Sequence, residues 1–227
     1  MKLSAIIWDW NGTLLDDVDY AIGCMNRLLT ARSMPRLDRA RYRSIFTFPV
    51  KTYYQRLGFK IDREPFEALS REFINHYYRN LEKPDLHAGA RELLVELADL
   101  GLVQCVLSAM ENGPLLRQIS RHDISPNLNA IQGLDHINAN SKTAEGELLL
   151  RQLQMDRRHI LFVGDTYHDL EVGRHLGLRV ALLTHGHQDI KSPQTADVPT
   201  CGNIYLLREL LRTEFGVSLK AGPTTTR

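Results

Sequence analysis

The chain has little cysteine, no excess of either charge and no long apolar run. Cys24, Cys105 and Cys201 are odd in number and far apart, which offers neither a disulfide framework nor a C-x-x-C metal or redox pair. Cys105, inside "LVQCVLS", reads as a core thiol. Against 28 Lys and Arg stand 27 Asp and Glu, a formal net charge of +1. The basic footprint of a nucleic-acid binder or an anionic-membrane binder is therefore missing. No apolar stretch approaches a membrane span, and the N-terminal run breaks at Asp9, too soon for the apolar core of a signal peptide. No internal repeat is found. What is present is an ordinary globular composition, 43% hydrophobic and 24% charged over 227 residues, enough for one good-sized core and a smaller accessory unit. The expectation is a cytoplasmic protein, monomer or homodimer, with a small-molecule partner and neither nucleic acid nor membrane.

Five short apolar runs, at 3–8, 102–108, 129–134, 159–164 and 179–184, read as buried parallel strands. Patterns with apolar residues at i, i+3, i+4 and i+7 predict helices over 89–101, 143–155, 167–177 and 204–216. Such alternation argues for an α/β fold, a doubly wound Rossmann-like parallel sheet with helices on both faces. One segment does not alternate: residues 16–85 read as helices only, far more than a crossover needs. An insertion placed directly after the first strand must sit over the sheet edge where ligands bind in such folds. It is expected to be an all-helical cap domain (16–85) on a core domain made of 1–15 and 86–220. The polar, aperiodic residues 221–227 are expected to form a frayed tail.

Chemistry gathers at two strand ends. "IIWDWNGTLLDD" carries Asp9 out of the first strand, and "ILFVGDTYHD" carries Asp165 out of a later one. In a parallel sheet both ends lie on one edge, and two neighbouring carboxylates repel unless a cation joins them. A hard divalent ion, Mg²⁺, held by carboxylates, a backbone carbonyl, waters and a substrate phosphate resolves that repulsion. Asp169, one helical turn beyond Asp165, is placed to orient the ligands. Asp16, Asp17 and Asp19 are expected at the first turn of a helix on dipole grounds alone. Ser108, after the run "QCVL", offers a hydroxyl and adjacent backbone N–H groups, with Ala109 next to it. Lys142 stands just before a helix, where its ammonium joins the positive end of the dipole.

Taken together, "DWNGTLLDD", Ser108, Lys142 and "GDTYHDLEVG" resemble, in order and spacing, the four motifs of the haloacid dehalogenase superfamily of phosphohydrolases. The likeness is to the branch with a helical cap after the first motif, phosphoglycolate phosphatases among them. The resemblance implies that Asp9 is the nucleophile and forms an aspartyl-phosphate. It implies that Ser108, Ala109 and Lys142 hold the phosphate, and that Asp9, the backbone carbonyl of Asn11 and Asp165 bind Mg²⁺ with Asp169 in support. The physical reading agrees, since phosphoryl transfer asks for positioning and charge neutralisation, and a carboxylate nucleophile divides hydrolysis into two steps.

The departure is Asn11. Most phosphatases of the family carry a second acid there, which protonates the leaving oxygen and then activates water; an amide does neither. A replacement from His168, His185, His187 or the cap, a slow phosphatase, and a long-lived phosphoenzyme that serves a phosphotransferase or mutase are the three explanations. A non-catalytic module that binds a phosphorylated ligand is the reading from another class. His185-x-His187 as a transition-metal pair lacks a third ligand at suitable spacing. Within the insertion, Arg39, Arg41, Arg43 and Lys51 could meet a second anionic group, and Tyr53 and Tyr54 could line a wall. Among these, Arg43, Lys51 and Tyr54 are the candidate substrate contacts. A small anionic phosphomonoester such as phosphoglycolate or a sugar phosphate is the expected substrate.

Overall fold

Every residue of β1 (Ala5–Trp8) is buried, and its side chains alternate between two cores. Ile6 and Trp8 belong to one apolar cluster and Ala5 and Ile7 to another, the period of two expected of a strand covered on both faces. In this computed structural model, which describes residues 3–135, 141–191, 195 and 197–220, the chain leaves β1 through β2 (Leu15–Asp16). It then forms α1 (Val18–Ala31), α2 (Arg39–Ile45), α3 (Val50–Leu57) and α4 (Phe66–Tyr78), and returns through β3 (Asp85–Leu86), antiparallel to β2. Strands and helices alternate from there: α5 (Ala90–Asp99), β4 (Val103–Glu111), α6 (Asn112–Arg121), β5 (Ala130–Leu134), α7 (Thr143–Leu153) and β6 (Ile160–Gly164). α8 (Tyr167–His175), β7 (Arg179–Leu183), β8 (Thr200–Cys201) and α9 (Ile204–Thr213) complete the chain.

The six-stranded sheet has the order β5-β4-β1-β6-β7-β8 and is parallel throughout. Leucines of α5 and α9 and Leu115 and Ile119 of α6 pack on the Ile6 and Trp8 face; Leu149 and Leu150 of α7 and Val172 of α8 pack on the Ala5 and Ile7 face. β1 sits centrally, so the loop that begins at Asp9 is delivered to the middle of the carboxyl edge.

The five expected strands and the four expected core helices are all present, with ends displaced by a few residues. Three features differ from the sequence reading. α6 was not expected; Gly113 and Pro114 fall in its first turn, where a missing N–H costs nothing. β8 and the β2–β3 ribbon were not expected, each strand being only two residues long. The tail expected over 221–227 lies outside the described residues.

The helices α1–α4 bury a cluster of their own, with Val18, Met25, Leu28, Tyr42, Tyr53, Tyr54, Phe66 and Leu69 at its heart. Aromatic rings dominate it: Tyr54 meets Phe66 edge-on with centroids 5.4 Å apart, and Tyr42 meets Tyr53 at 5.7 Å. Arg32 clamps the ends of this unit by salt bridges to Glu64 and, at 2.7 Å, Glu72.

Candidate active site

Asp9 is the first residue after β1, and Asp165 the first after β6; the register pairs Trp8 with Val163, so the two arrive side by side. Carboxylate oxygens of Asp9, Asp165 and Asp169 all lie within 4.8 Å of one another, and all three residues are buried. The loop after Asp9 is wound tightly, with the Trp10 carbonyl accepting from the N–H groups of Thr13, Leu14 and Leu15. Gly12 sits there at φ +74°, and a Cβ on it would come 2.5 Å from Asp165 Oδ2, so both conformation and space demand glycine. Thr13 Oγ1 lies between the two carboxylates, 2.8 Å from Asp165 Oδ1 and 3.2 Å from Asp9 Oδ2.

Asp169 is held differently. It forms a capping box with Thr166 at the start of α8, and its Oδ2 accepts from the N–H groups of Asp165 and Thr166 and from Thr166 Oγ1. Its free Oδ1 faces the Lys142 ammonium at 2.8 Å. That ammonium also bonds Asp9 Oδ1 and the Leu107 carbonyl and lies over the Phe162 ring. Only 1% of Lys142 is exposed, an arrangement tolerable for a charge that is fully paired. Asp169 thus positions Lys142 with one oxygen and the strand end with the other.

Burial raises the Asp9 carboxyl to about 6, with Asp169 pushing the same way against the pull of Lys142. Asp165 is held well above the usual carboxylate range, by burial first and by Asp169 and Asp9 in addition, against the pull of His187. Burial would also raise Asp169, but Lys142 and Thr166 outweigh it and hold that carboxyl below its ordinary value. Burial would lower Lys142; Asp169 and Asp9 outweigh it and raise it. Three carboxylates with one ammonium among them carry excess negative charge, and every donor is a hard oxygen. The set fits Mg²⁺. The Asn11 carbonyl adds to the fit, because the bridge between Asn11 and Leu15 uses the Trp10 carbonyl and the Gly12 N–H and leaves that oxygen out.

Ser108 and Ala109, near the end of β4, line the same cavity as Asp9, Lys142 and Asp165. Ser108 is buried, and its Oγ accepts from the Met110 N–H at 3.1 Å. Of the residues expected to contact substrate from the insertion, Tyr54 lines this cavity, whereas Arg43 and Lys51 do not. Arg43 donates to the carbonyls of Thr184, Gly186 and Gln188, so its guanidinium is already used to fasten α2 to the loop after β7. Lys51 is exposed; it sits in the first turn of α3 and presents its charge to solvent.

The sequence reading gave other roles to Asp17 and His187, two of the residues that join the two halves. Asp17 precedes α1 but makes no capping bond with its side chain. Instead its buried carboxylate accepts from the Gly12 N–H at 2.8 Å, Asn11 Nδ2 at 2.9 Å and Tyr77 Oη at 2.6 Å, and pairs with His187 Nε2 at 3.1 Å. Burial alone would raise it; His187, Tyr77 and Asn11 together lower it. The dipole reading holds for exposed Asp19, which pairs with Arg39, and fails for Asp17. His187 is equally committed. Its Nδ1 meets Tyr42 Oη at 2.8 Å, and although burial opposes its charge, Asp17 raises it to about 9. His185 stacks on His87 with centroids 3.7 Å apart. Nothing in the spacing of these residues announced the network; only α4 and the loop after β7 folding onto "DWNGT" creates it.

The chain belongs to the haloacid dehalogenase-like hydrolases: the family model matches residues 6–183. An N-acetylmuramic acid 6-phosphate phosphatase of Pseudomonas putida is 30% identical over 195 residues, covering 82% of this chain and 85% of that one. A phosphoglycolate phosphatase of Rhodobacter capsulatus is 23% identical, covering 85% and 88%. Among solved structures, a haloacid dehalogenase-like family hydrolase from Streptococcus pneumoniae superposes with a TM-score of 0.76 at 18% identity, covering 92% of this chain and 98% of that one. It shares the fold.

Proposed function

We propose that this protein is a Mg²⁺-dependent phosphatase that hydrolyses a small phosphomonoester through an aspartyl-phosphate on Asp9. The observation that carries the reading is the buried group of Asp9, Asp165 and Asp169 around Lys142 at the floor of one cavity. Asp9 Oδ attacks phosphorus; the bond from phosphorus to the ester oxygen breaks, and the alkoxide leaves. Water then attacks the same phosphorus, the bond to Asp9 breaks, and inorganic phosphate departs. Lys142, the Ser108 hydroxyl and the backbone at Ala109 hold the phosphate oxygens. When bound by Asp9, Asp165 and the Asn11 carbonyl, Mg²⁺ supplies further neutralisation of charge on those oxygens. Residues 16–85 act as the cap that keeps bulk water from the chemistry. The phosphatases among the curated relatives support the reaction class.

Asn11 shapes the expected kinetics. Both protons of its amide are spent, one on Asp17 and one on Tyr77 Oη, so its nitrogen ties the first loop to α4. The leaving oxygen takes its proton from water, and dephosphorylation of Asp9 proceeds without a carboxylate base at this position. General acid–base help is worth about 10²–10⁴-fold, so the phosphoenzyme should persist. That persistence favours a second reading, transfer of the phosphoryl group to an acceptor other than water. The deciding experiment is phosphate release from a panel of phosphomonoesters with and without Mg²⁺, in wild type and Asp9→Asn. Metal-dependent release abolished in Asp9→Asn is expected; release that ignores both would end the proposal. Faster turnover on adding alcohols, without added phosphate release, would select the transfer reading.

A further inference from the structure

The cavity above Asp9 is polar at its floor and apolar almost everywhere else. Its volume is about 180 Å³, against the roughly 10–15 Å³ that one water needs by the same measure, so it takes an organic group many times the size of a water. Met25, Phe46, Phe48, Tyr54, Phe66 and Phe73 are among its walls, and Met110 closes the side towards β4.

Charge is distributed to refuse a second anion. Lys142 is the only lysine or arginine among the described lining residues, and it belongs to the floor, between Asp9 and Asp169, where the phosphate is to be held. Away from the metal-binding carboxylates, the ionisable groups of the wall include Asp17 and Glu111, both acids, and His187, already paired with Asp17. The three arginines of α2 lie outside the lining: Arg39 pairs with Asp19, Arg41 is exposed, and Arg43 holds the loop after β7. A carboxylate brought into this chamber would lose its water and meet no counter-charge, which is costly.

Two buried polar atoms do face unmet demand. Tyr53 Oη and His168 Nε2 belong to lining residues and have no hydrogen-bond partner among the described residues; Tyr53 is 2% exposed, and the His168 ring is stacked on Phe48 with centroids 4.4 Å apart. An uncharged hydroxyl or amide can satisfy such atoms without a desolvated charge.

Resting on the phosphatase reading, we infer that the substrate's organic part is uncharged and largely apolar, with neutral hydrogen-bonding groups, and bears no carboxylate. This separates the chain from relatives named for phosphorylated acids. The selection would be made by the walls of α1, α3 and α4, while the floor stays indifferent to the alcohol it releases.

The test uses the full chain with Mg²⁺ and five probes. Acetyl phosphate reports whether the floor works at all. 2-Phenylethyl phosphate and N-acetylglucosamine 6-phosphate are the neutral esters; phosphoglycolate and N-acetylmuramic acid 6-phosphate carry a carboxylate, the two sugars sharing one leaving hydroxyl. We expect kcat/KM for each neutral ester to exceed that of the acids by about tenfold or more, within what a pocket's apolar contacts can discriminate. Ile74→Arg, which puts a cation in a half-buried wall of α4, should shrink or reverse the ratio. Hydrolysis of acetyl phosphate with either acid as the best ester, or with no preference among the four, overturns this inference and leaves the phosphatase reading standing. No release from any probe removes both.

Discussion

The floor and the roof of the cavity solve opposite problems. The floor, built from the ends of β1, β4 and β6 and the starts of α7 and α8, gathers charge: three carboxylates, an ammonium and the Thr13 hydroxyl, each held by several partners. The roof, built from α1–α4, excludes charge and packs rings against rings. On the proposed function, this difference assigns reaction to the floor and recognition to the roof. Strand ends are fixed by sheet register and so can hold reacting atoms in place, whereas a helical unit with its own core can present a wall of any character. Where the two meet, the contacts are specific, among them Asn11 and Asp17 with Tyr77, His187 with Tyr42, Gln188 Nε2 with the Phe46 carbonyl, and Arg43 with the carbonyls of Thr184, Gly186 and Gln188.

If the division is real, floor substitutions should lower turnover for every substrate, and roof substitutions should reorder substrates. The largest effect is expected for Asp9→Asn, a loss on the order of 10⁴-fold or more across all esters; activity that survives for any one of them would show that the nucleophile lies elsewhere. Next comes Lys142→Met, which leaves Asp9 and Asp169 facing each other without a cation. Removing one partner of a buried pair costs about 3–5 kcal/mol, so thermal melting should fall steeply and Mg²⁺ should restore part of it. An unchanged melting temperature would contradict the geometry.

Asn11→Asp tests the junction itself. It would set a second carboxylate about where the Asn11 amide now donates to Asp17, 2.9 Å away, and like charges at that distance repel. We expect lower thermal stability near pH 8, most of it recovered in the swapped Asn11→Asp/Asp17→Asn double variant, as coupled neighbours require. Additive losses in calorimetry would mean the two side chains do not interact.

The smallest effect is in the pH dependence of stability. Burial lowers His185 to about 3, with His87 adding to it, and burial lowers His87 as well. Their folded values lie below the unfolded value near 6.5, so the folded state binds fewer protons. The contribution is complete above about pH 6.5 and is lost as pH falls below it. His187, raised to about 9 despite its burial because Asp17 faces it, acts oppositely: its contribution is complete below about 6.5 and fades as pH climbs through 9. His185→Asn should therefore gain melting temperature relative to wild type as pH falls from 7 to 5, the window in which the raised carboxyls of Asp9 and Asp165 act in the opposite sense and are common to both proteins. A difference between the two proteins that stays constant from pH 7 to pH 5 would refute the assignment.

The sequence was legible where local pattern and final position coincide. Asp9 and Asp165 could be found because each ends an apolar run, and a parallel sheet turns run ends into one edge. Tyr54 lines the cavity, but Arg43 and Lys51 lie on the same kind of helix pattern and do not. A basic residue on an amphipathic helix does not disclose whether its head meets a ligand, a carbonyl or water. α6, which was not expected, carries a Gly-Pro pair that is harmless in a first turn. Asp17 was hidden by a sufficient local explanation, the helix dipole, which stopped the search before the fold could supply a different partner.

By itself, the amino-acid sequence determined the α/β architecture, the helical insertion after the first strand and the delivery of acids to one edge, because each follows from hydrophobic period and strand polarity over a few residues. Only the tertiary structure decided that Lys142 is buried between Asp9 and Asp169, that Asn11 serves as a tie to Tyr77 and Asp17, and that the chamber above them is apolar. Those depend on contacts between segments tens of residues apart, such as Asn11 with Tyr77 and Asp17 with His187. No local pattern encodes which distant side chain will arrive.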